Sequence, residues 1–180
     1  AGGRVFLGTQ NSAIYALDAK TGCAYWKFDT AGDVRGAILV DKRADGGFVL
    51  YAGDRKGWYY ALDAESGKLL WKDQPDTHPW VLITGSAALH EGVLYVPLAS
   101  FEELAGGSPT YECCTFRGSV VAYEAASGKK LWQSHVITEQ PQKTKKTTTG
   151  TQLWGPSGGA IWSQPTIDPK AGVLYVTTGD

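Results

Sequence analysis

The chain has 180 residues, with 17 Lys and Arg against 18 Asp and Glu and a formal net charge of −1 at pH 7. This balance excludes the positive field that attracts nucleic acids, and the hydrophobic residues, 43% of the chain, never form the run of about 18 that crosses a membrane. Seven Trp and nine Tyr are many for this length and indicate aromatic packing.

The predicted elements begin with two short strands, an acidic turn and a strand that ends in tryptophan. Residues 5–8 and 13–17 have β-type composition, and residues 18–22 place Lys-Thr-Gly shortly after an Asp. The acidic side chain can accept hydrogen bonds from backbone N–H groups two residues on, and glycine adopts positive φ at low cost. We therefore predict a hairpin whose second strand ends at Trp26.

The same line of sequence returns twice. ALDAKTGCAYW at residues 16–26 is followed by ALDAESGKLLW at 61–71 and AYEAASGKKLW at 122–132. The first two copies start 45 residues apart and the third follows after 61, which indicates an insertion in the third period. A period of about 40–50 residues is typical of four-stranded propeller blades. The tryptophan that ends each line is expected to pack between neighbouring blades, with its indole N–H in need of an acceptor.

Further short β-rich runs fill the intervals, at residues 37–40, 50–53, 58–62, 86–89, 94–97 and 174–177. No window has the apolar periodicity of a helix. We predict an all-β fold, with residues 1–180 forming a partial β-propeller domain of about four blades that is incomplete at both ends. Residues 140–150, rich in Lys and Thr, are expected to form an exposed loop between blades.

Histidine and cysteine spacing points to no other cofactor chemistry. His78, His90 and His135 lie far apart and follow no metal-ligand spacing, and the chain has no Cys-x-x-Cys-His haem motif. Cys113 and Cys114 are adjacent, so their Cα atoms lie closer together than the usual 4.4–6.8 Å of a disulfide. The residues alone leave open a bridge between the two, two free thiols or another pairing. Cys23, at a turn, is expected to be free.

The repeat Ala-x-Asp-x-x-Thr/Ser-Gly-x-x-x-Trp resembles the tryptophan-docking repeat of the quinoprotein alcohol dehydrogenases, eight-bladed propellers that carry pyrroloquinoline quinone and calcium. The resemblance implies that the chain is about half of such a propeller and that the remaining half lies beyond it. A non-catalytic outer-membrane assembly scaffold has a similar repeat and binds no cofactor. The residues of the cofactor site distinguish the two classes.

The resemblance implies an aromatic floor and a metal ligand near the end of the chain. Trp162 matches the tryptophan beneath the flat quinone, with Trp154 as the alternative. Asp180 matches the residue that binds calcium, where the family has Asn. A carboxylate also suits calcium, which prefers hard oxygen ligands, but it changes the charge of the site by one unit.

The other implied contacts come from earlier segments. Arg35, Thr84 and Ser100 match the residues that bind the tricarboxylate quinone, and a guanidinium can meet a carboxylate through two parallel hydrogen bonds. Glu103, ahead of Glu102, matches the carboxylate that binds calcium.

The segment Cys-Cys-Thr-Phe-Arg-Gly before the third repeat line resembles polyvinyl-alcohol dehydrogenases and their relatives. The resemblance implies that Cys113 and Cys114 form a vicinal disulfide at the quinone. It further implies a periplasmic or secreted bacterial enzyme that oxidises secondary or polymeric alcohols and passes electrons to a cytochrome c-type acceptor. Its catalytic Asp is expected beyond Asp180. The alternative class is a propeller scaffold without cofactor.

Overall fold

The computed structural model describes residues 2–43 and 45–179. The first eight strands are β1 (Arg4–Thr9), β2 (Ala13–Asp18), β3 (Ala24–Asp29), β4 (Leu39–Lys42), β5 (Phe48–Gly53), β6 (Tyr59–Asp63), β7 (Leu69–Asp73) and β8 (Val81–Leu82). They are followed by β9 (Ala88–His90), β10 (Val93–Ser100), helix α1 (Glu102–Gly106), β11 (Ser119–Glu124), β12 (Lys130–His135), β13 (Gln142–Lys146), β14 (Gln152–Gly155), β15 (Thr166–Asp168) and β16 (Val173–Tyr175).

Three antiparallel sheets follow one another along the described chain. Their strand orders are β1-β2-β3, then β4-β5-β6-β7, then β12-β11-β10-β8 with β9 also paired to β10. Two further antiparallel pairs, β13-β14 and β15-β16, complete the described strands. Each sheet is built from sequence neighbours, as in a propeller blade, and the predicted all-β fold is confirmed.

The turn chemistry predicted from the repeat is present in the structure. Asp18 accepts hydrogen bonds at Oδ1 from the backbone N–H groups of Lys20 (3.0 Å) and Thr21 (2.7 Å). Gly22 then adopts a φ of +74°, which glycine tolerates because it has no Cβ. The reversal places β3 beside β2. The strand carries Trp26 but continues to Asp29, so the predicted strand end at Trp26 is wrong.

Each of the first two repeat tryptophans docks on the following sheet. The indole N–H of Trp26 donates to the carbonyl oxygen of Ala64 (3.3 Å), and that of Trp71 donates to the carbonyl oxygen of Ala125 (2.9 Å). A Cβ built on Gly67 would lie only 2.6 Å from the Trp26 ring. The predicted packing between blades is therefore confirmed for Trp26 and Trp71. Trp132 is instead 43% exposed, and its ring contacts Tyr95 of its own sheet.

The middle sheet is buried on both faces, which explains its nearly continuous apolar sequence. Leu50 and Tyr60 belong to a core shared with the first sheet, whereas Val49 and Tyr51 belong to a core shared with the third. Successive side chains of a strand point to opposite faces, so one strand serves both cores.

Two segments differ from the sequence-based expectation. The five residues of α1 are helical, although no helix was predicted, because so short an element shows no apolar periodicity. Residues 140–150, expected to be a loop, are exposed but contribute β13 to a hairpin with β14. The described residues contain no helix with the length and apolar composition required to cross a membrane.

Gly67→Ala tests the docking of Trp26. Gly22 and Gly67 have nearly equal φ values, +74° and +73°, but a Cβ at Gly22 would meet nothing within 4 Å. Gly22→Ala should therefore lower the free energy of unfolding by about 1 kcal/mol through backbone strain alone. Gly67→Ala should cost about 1–3 kcal/mol more because the methyl group displaces Trp26.

Urea unfolding monitored by tryptophan fluorescence compares the two variants. Equal loss of stability in Gly22→Ala and Gly67→Ala, with an unchanged native emission spectrum, would show that Trp26 does not dock on Gly67.

Candidate functional site

The entry into each successive sheet repeats one backbone arrangement. In each case a buried aliphatic residue donates its backbone N–H group to a carbonyl oxygen of the preceding sheet. The acceptor lies in a strand of that sheet or in the turn directly after the strand. The three bonds join Val34 to Thr9 (3.0 Å), Ile83 to Asp54 (2.9 Å) and Ile161 to Leu98 (3.0 Å). The residue after each aliphatic side chain is one that the sequence singled out: Arg35, Thr84 and Trp162. These residues therefore occupy equivalent positions in consecutive blades.

Two glycines let these segments approach one another closely. A Cβ on Gly36 would lie 2.9 Å from the carbonyl oxygen of Thr84, and one on Gly85 would lie 3.1 Å from that of Trp162. Because the segment of Arg35 meets that of Thr84, and the segment of Thr84 meets that of Trp162, the three form one continuous arc. We call Arg35, Thr84 and Trp162 the inner arc.

The polar groups of the inner arc have unused hydrogen-bonding capacity. Thr84 Oγ1 is buried and has no hydrogen-bond partner among the described residues. Leaving such a group unsatisfied costs about 1–3 kcal/mol, so the site suits a ligand that supplies the partner. The side chain of Arg35 is 49% exposed, with Nε 3.6 Å from Asp33 Oδ2.

Trp162 supplies the aromatic surface of the inner arc. Its ring lies 5.5 Å from the Phe101 ring at an interplanar angle of 36°, and a Cβ on Gly179 would lie 3.6 Å from Trp162 Cδ1. Asp180, the predicted calcium ligand, lies outside the described residues. Trp154, the alternative floor, packs instead against the cysteine segment, where its backbone N–H donates to the carbonyl oxygen of Cys113 (2.6 Å).

A cavity of about 120 Å³ lies at the end of β10. Its lining includes Ser100, Glu103, Cys114 and Phe116. Ser100 is 2% exposed, and its hydroxyl accepts a hydrogen bond from the backbone N–H of Glu102 (2.9 Å). The structure thus brings predicted quinone, calcium and cysteine residues to one cavity.

Glu102 is a buried anchor for the segment that carries the cysteines. Its carboxylate is 3% exposed and accepts hydrogen bonds from the backbone N–H of Thr115 (2.9 Å to each oxygen) and of Phe116 (2.7 Å). The hydroxyl of Tyr111 also donates to it (3.1 Å), and His78 Nε2 lies 3.5 Å away. Sequence reasoning missed this role because the donors follow 9–14 residues later, in a segment without a recognisable pattern.

The electrostatics of Glu102 follow from these contacts. Burial alone would raise its pKa, but hydrogen bonds from His78 and from the backbone of Phe116 and Thr115 outweigh burial and lower the pKa to about 2. Glu102 is consequently an ionised structural group whose oxygens are occupied by internal donors. Glu103 is exposed at the cavity and is the carboxylate of the pair that is open to an external cation.

The structure confirms the vicinal disulfide between Cys113 and Cys114, and Cys23 is free and exposed. The two alternatives, free thiols and another pairing, are not found. The bridge lies against α1, since a Cβ on Gly106 would be 2.6 Å from Cys113 Sγ. Among residues 2–43 and 45–179, no group of three His, Cys, Asp or Glu side chains has the arrangement of a metal site.

Arg55 is a second residue near the site that no sequence pattern indicates. This residue follows the fully buried Asp54 in the turn between β5 and β6, and its guanidinium lies 4.7 Å over the Phe101 ring. A single arginine in a turn is normally a solvated side chain. Arg55 is connected to the site only through Phe101, whose ring contacts that of Trp162.

Comparison with known proteins places this geometry in context. A family model described as outer membrane protein assembly factor BamB matches residues 1–153. A polyvinylalcohol dehydrogenase of Pseudomonas sp. is 44% identical over 99% of this chain, and one of Sphingopyxis sp. strain 113P3 is 41% identical over the same share. The chain spans 28% of the length of each of these relatives.

Solved structures share the fold. A quinohemoprotein alcohol dehydrogenase ADHIIG from Pseudomonas putida HK5 superposes with a TM-score of 0.71 at 22% identity, covering 99% of this chain and 27% of that structure. The quinohemoprotein alcohol dehydrogenase of Comamonas testosteroni also gives 0.71, at 21% identity, over 99% of this chain and 28% of its own.

Glu102→Gln tests the anchor through its dependence on pH. The carboxylate stabilises the fold fully above its ordinary pKa of 4.5, and this stabilisation is lost as the pH falls towards 2. At neutral pH the variant should therefore be less stable by on the order of 2–3 kcal/mol. Since glutamine does not titrate, the difference from the wild type should shrink between about pH 4.5 and pH 2.

Urea unfolding at a series of pH values measures this difference, with the exposed neighbour as control in Glu103→Gln. The control should differ little from the wild type at any pH. A Glu102→Gln deficit that stays constant from pH 6 to pH 2 would contradict the anchor role.

Proposed function

We propose that this chain, which belongs to the family whose model is described as outer membrane protein assembly factor BamB, is part of a larger propeller that oxidises alcohols with pyrroloquinoline quinone. The polyvinylalcohol dehydrogenases similar to it support an alcohol as substrate. The quinohemoprotein relatives support a quinone cofactor and an alcohol dehydrogenase reaction.

The inner arc is the observation that carries the proposal. A planar tricarboxylate needs cationic and hydroxyl donors at its edge and a flat apolar surface beneath it. Arg35 supplies a guanidinium that can pair with a carboxylate, and Trp162 supplies an aromatic face. Thr84 supplies a buried hydroxyl that has no partner in the described part of the chain. The residues present therefore fit the quinone.

In this proposal the residues of this chain bind and orient the quinone, and the catalytic Asp comes from the rest of the propeller. When bound, pyrroloquinoline quinone would supply the two-electron acceptor for alcohol oxidation, and calcium would supply a Lewis acid. Arg35 would hold a carboxylate of the quinone and so orient its ring, and the Thr84 hydroxyl would form one hydrogen bond to it. Trp162 excludes water from one face. The anchor Glu102 holds the segment that carries the disulfide, so that Cys114 lies at the cavity beside Ser100.

For calcium we propose Glu103 and Asp180 as ligands from this chain. Carboxylate oxygens are the hard donors that calcium prefers, and Glu103 has an exposed carboxylate at the cavity lined by Ser100. The remaining ligands and the catalytic Asp would come from the rest of the propeller, which we propose as the structural partner of this segment.

We further propose a periplasmic or secreted location in a bacterium and a cytochrome c-type protein as electron acceptor. The disulfide between Cys113 and Cys114 supports an oxidising compartment, because cytosolic reductants keep most thiols reduced. The quinohemoprotein relatives support a haem protein as the acceptor.

A second candidate is a propeller scaffold without cofactor, favoured by the description of the matching family model as an assembly factor. Two features argue for the enzyme. A scaffold has no use for a buried Thr84 hydroxyl that lacks a hydrogen-bond partner among residues 2–43 and 45–179, and it does not require the cavity in which Ser100, Glu103 and Cys114 meet.

Trp162→Ala in the complete propeller tests the proposal, with Trp154→Ala as the matched control. Removal of the stacking surface should weaken quinone binding on the order of fivefold or more, since such contacts contribute about 1 kcal/mol. Trp154→Ala should bind as the wild type does. Equilibrium dialysis of the calcium-loaded protein against pyrroloquinoline quinone measures both affinities.

Loss of quinone binding only in Trp154→Ala would show that Trp154, and not Trp162, forms the aromatic surface beneath the quinone. A wild-type protein that binds no quinone at any calcium concentration would support the scaffold and exclude the enzyme.

A further inference from the structure

We propose that Arg55 is a second cationic residue for the quinone and that Asp33 positions it beside Arg35. The inference rests on the proposed function and adds to it a residue pair that the repeat pattern does not reveal. The ligand class is a planar polycarboxylate whose edge meets two guanidinium groups.

One carboxylate oxygen lies between the two arginines. Asp33 Oδ2 accepts a hydrogen bond from Arg55 Nη1 (3.2 Å) and lies 3.6 Å from Arg35 Nε. A single negative charge between two positive charges leaves the cluster with a net charge of +1. This surplus favours an anion, and Asp33 keeps the two guanidinium groups near each other despite their repulsion.

Arg55 also connects the cationic and aromatic ends of the inner arc. Its backbone N–H donates to the carbonyl oxygen of Asp33 (2.9 Å), and its guanidinium carbon lies 4.7 Å from the centre of the Phe101 ring. The Phe101 ring lies 5.5 Å from the Trp162 ring. The contact sequence Arg35, Asp33, Arg55, Phe101, Trp162 therefore runs along the surface that the quinone is proposed to occupy.

The donor capacity of Arg55 is only partly used. Arg55 Nε is buried and has no hydrogen-bond partner among the described residues. A guanidinium carries five N–H donors in a fixed fork, which matches a carboxylate through two parallel bonds. A carboxylate of the ligand would relieve this unsatisfied donor in the same way that a ligand oxygen would relieve Thr84 Oγ1.

The turn that carries Arg55 is held by its neighbour, so replacing the arginine side chain leaves the hydrogen bonds that shape the turn in place. Asp54 is fully buried and accepts hydrogen bonds from Tyr60 Oη (2.8 Å) and from the backbone N–H groups of Gly32 (2.9 Å) and Lys56 (2.8 Å). Arg55→Met preserves all of these bonds and keeps an extended apolar side chain over Phe101.

The test compares two ligands on four forms of the complete propeller: wild type, Arg55→Met, Arg55→Lys and the matched control Lys56→Met. Equilibrium dialysis with calcium measures the affinity for pyrroloquinoline quinone and for its trimethyl ester, in which the carboxylates are neutral. Arg55→Met should lose about tenfold or more in affinity for the free acid, as expected for a charge-assisted hydrogen bond, and much less for the ester.

Arg55→Lys should fall between wild type and Arg55→Met, because it retains the charge and loses the fork. Lys56→Met should match the wild type for both ligands. A merely structural arginine would lower the affinity for acid and ester by the same factor, which would overturn the inference.

The outcomes separate the two proposals. If the wild type binds the free acid and Arg55→Met binds it equally well, the inference about Arg55 is wrong while the quinone site stands. If the wild type binds neither ligand, the proposed function fails and the inference fails with it.

Discussion

The docking of one blade's tryptophan on the next blade is the interaction on which the rest of the structure depends. Trp71 packs its partly buried ring against the third sheet and donates its indole N–H to the carbonyl oxygen of Ala125. Trp26 makes the equivalent contact one blade earlier, at Ala64. A large apolar surface and a directional hydrogen bond act together at each contact, so the angle between sheets is fixed as well as their separation. The inner segments of consecutive blades then meet at Gly36 and Gly85.

Residues that support the fold and residues of the candidate site stand next to each other in each blade, but only the former are similar from blade to blade. The residues that set the fold recur with little change, as in the acidic turns and the buried aliphatic residues Val34, Ile83 and Ile161. The next residue along the chain differs in each blade, an arginine, a threonine and a tryptophan. A repeated backbone thus places three chemically different side chains at equivalent positions in neighbouring blades.

The sequence was sufficient for what is local and repeated. Residues 16–26 and 61–71 carry their turn, strand and tryptophan within eleven positions each, so the hairpins and the all-β fold were predicted correctly. The three residues of the inner arc were predicted only through resemblance to a family, and not from local sequence patterns. The anchor role of Glu102 and the site contact of Arg55 were not predicted, because each depends on a residue distant in sequence. Glu102 accepts a hydrogen bond from Phe116, and Arg55 lies over the ring of Phe101, which directly follows β10. No propensity or spacing rule encodes such contacts.

The central claim is that the inner arc binds the quinone, and the structure of the complete propeller crystallised with pyrroloquinoline quinone and calcium measures it most directly. We expect the ring against Trp162, a ligand oxygen within hydrogen-bonding distance of Thr84 Oγ1, and a carboxylate on the guanidinium of Arg35. A quinone bound elsewhere, with Thr84 Oγ1 still without a partner, would contradict this assignment.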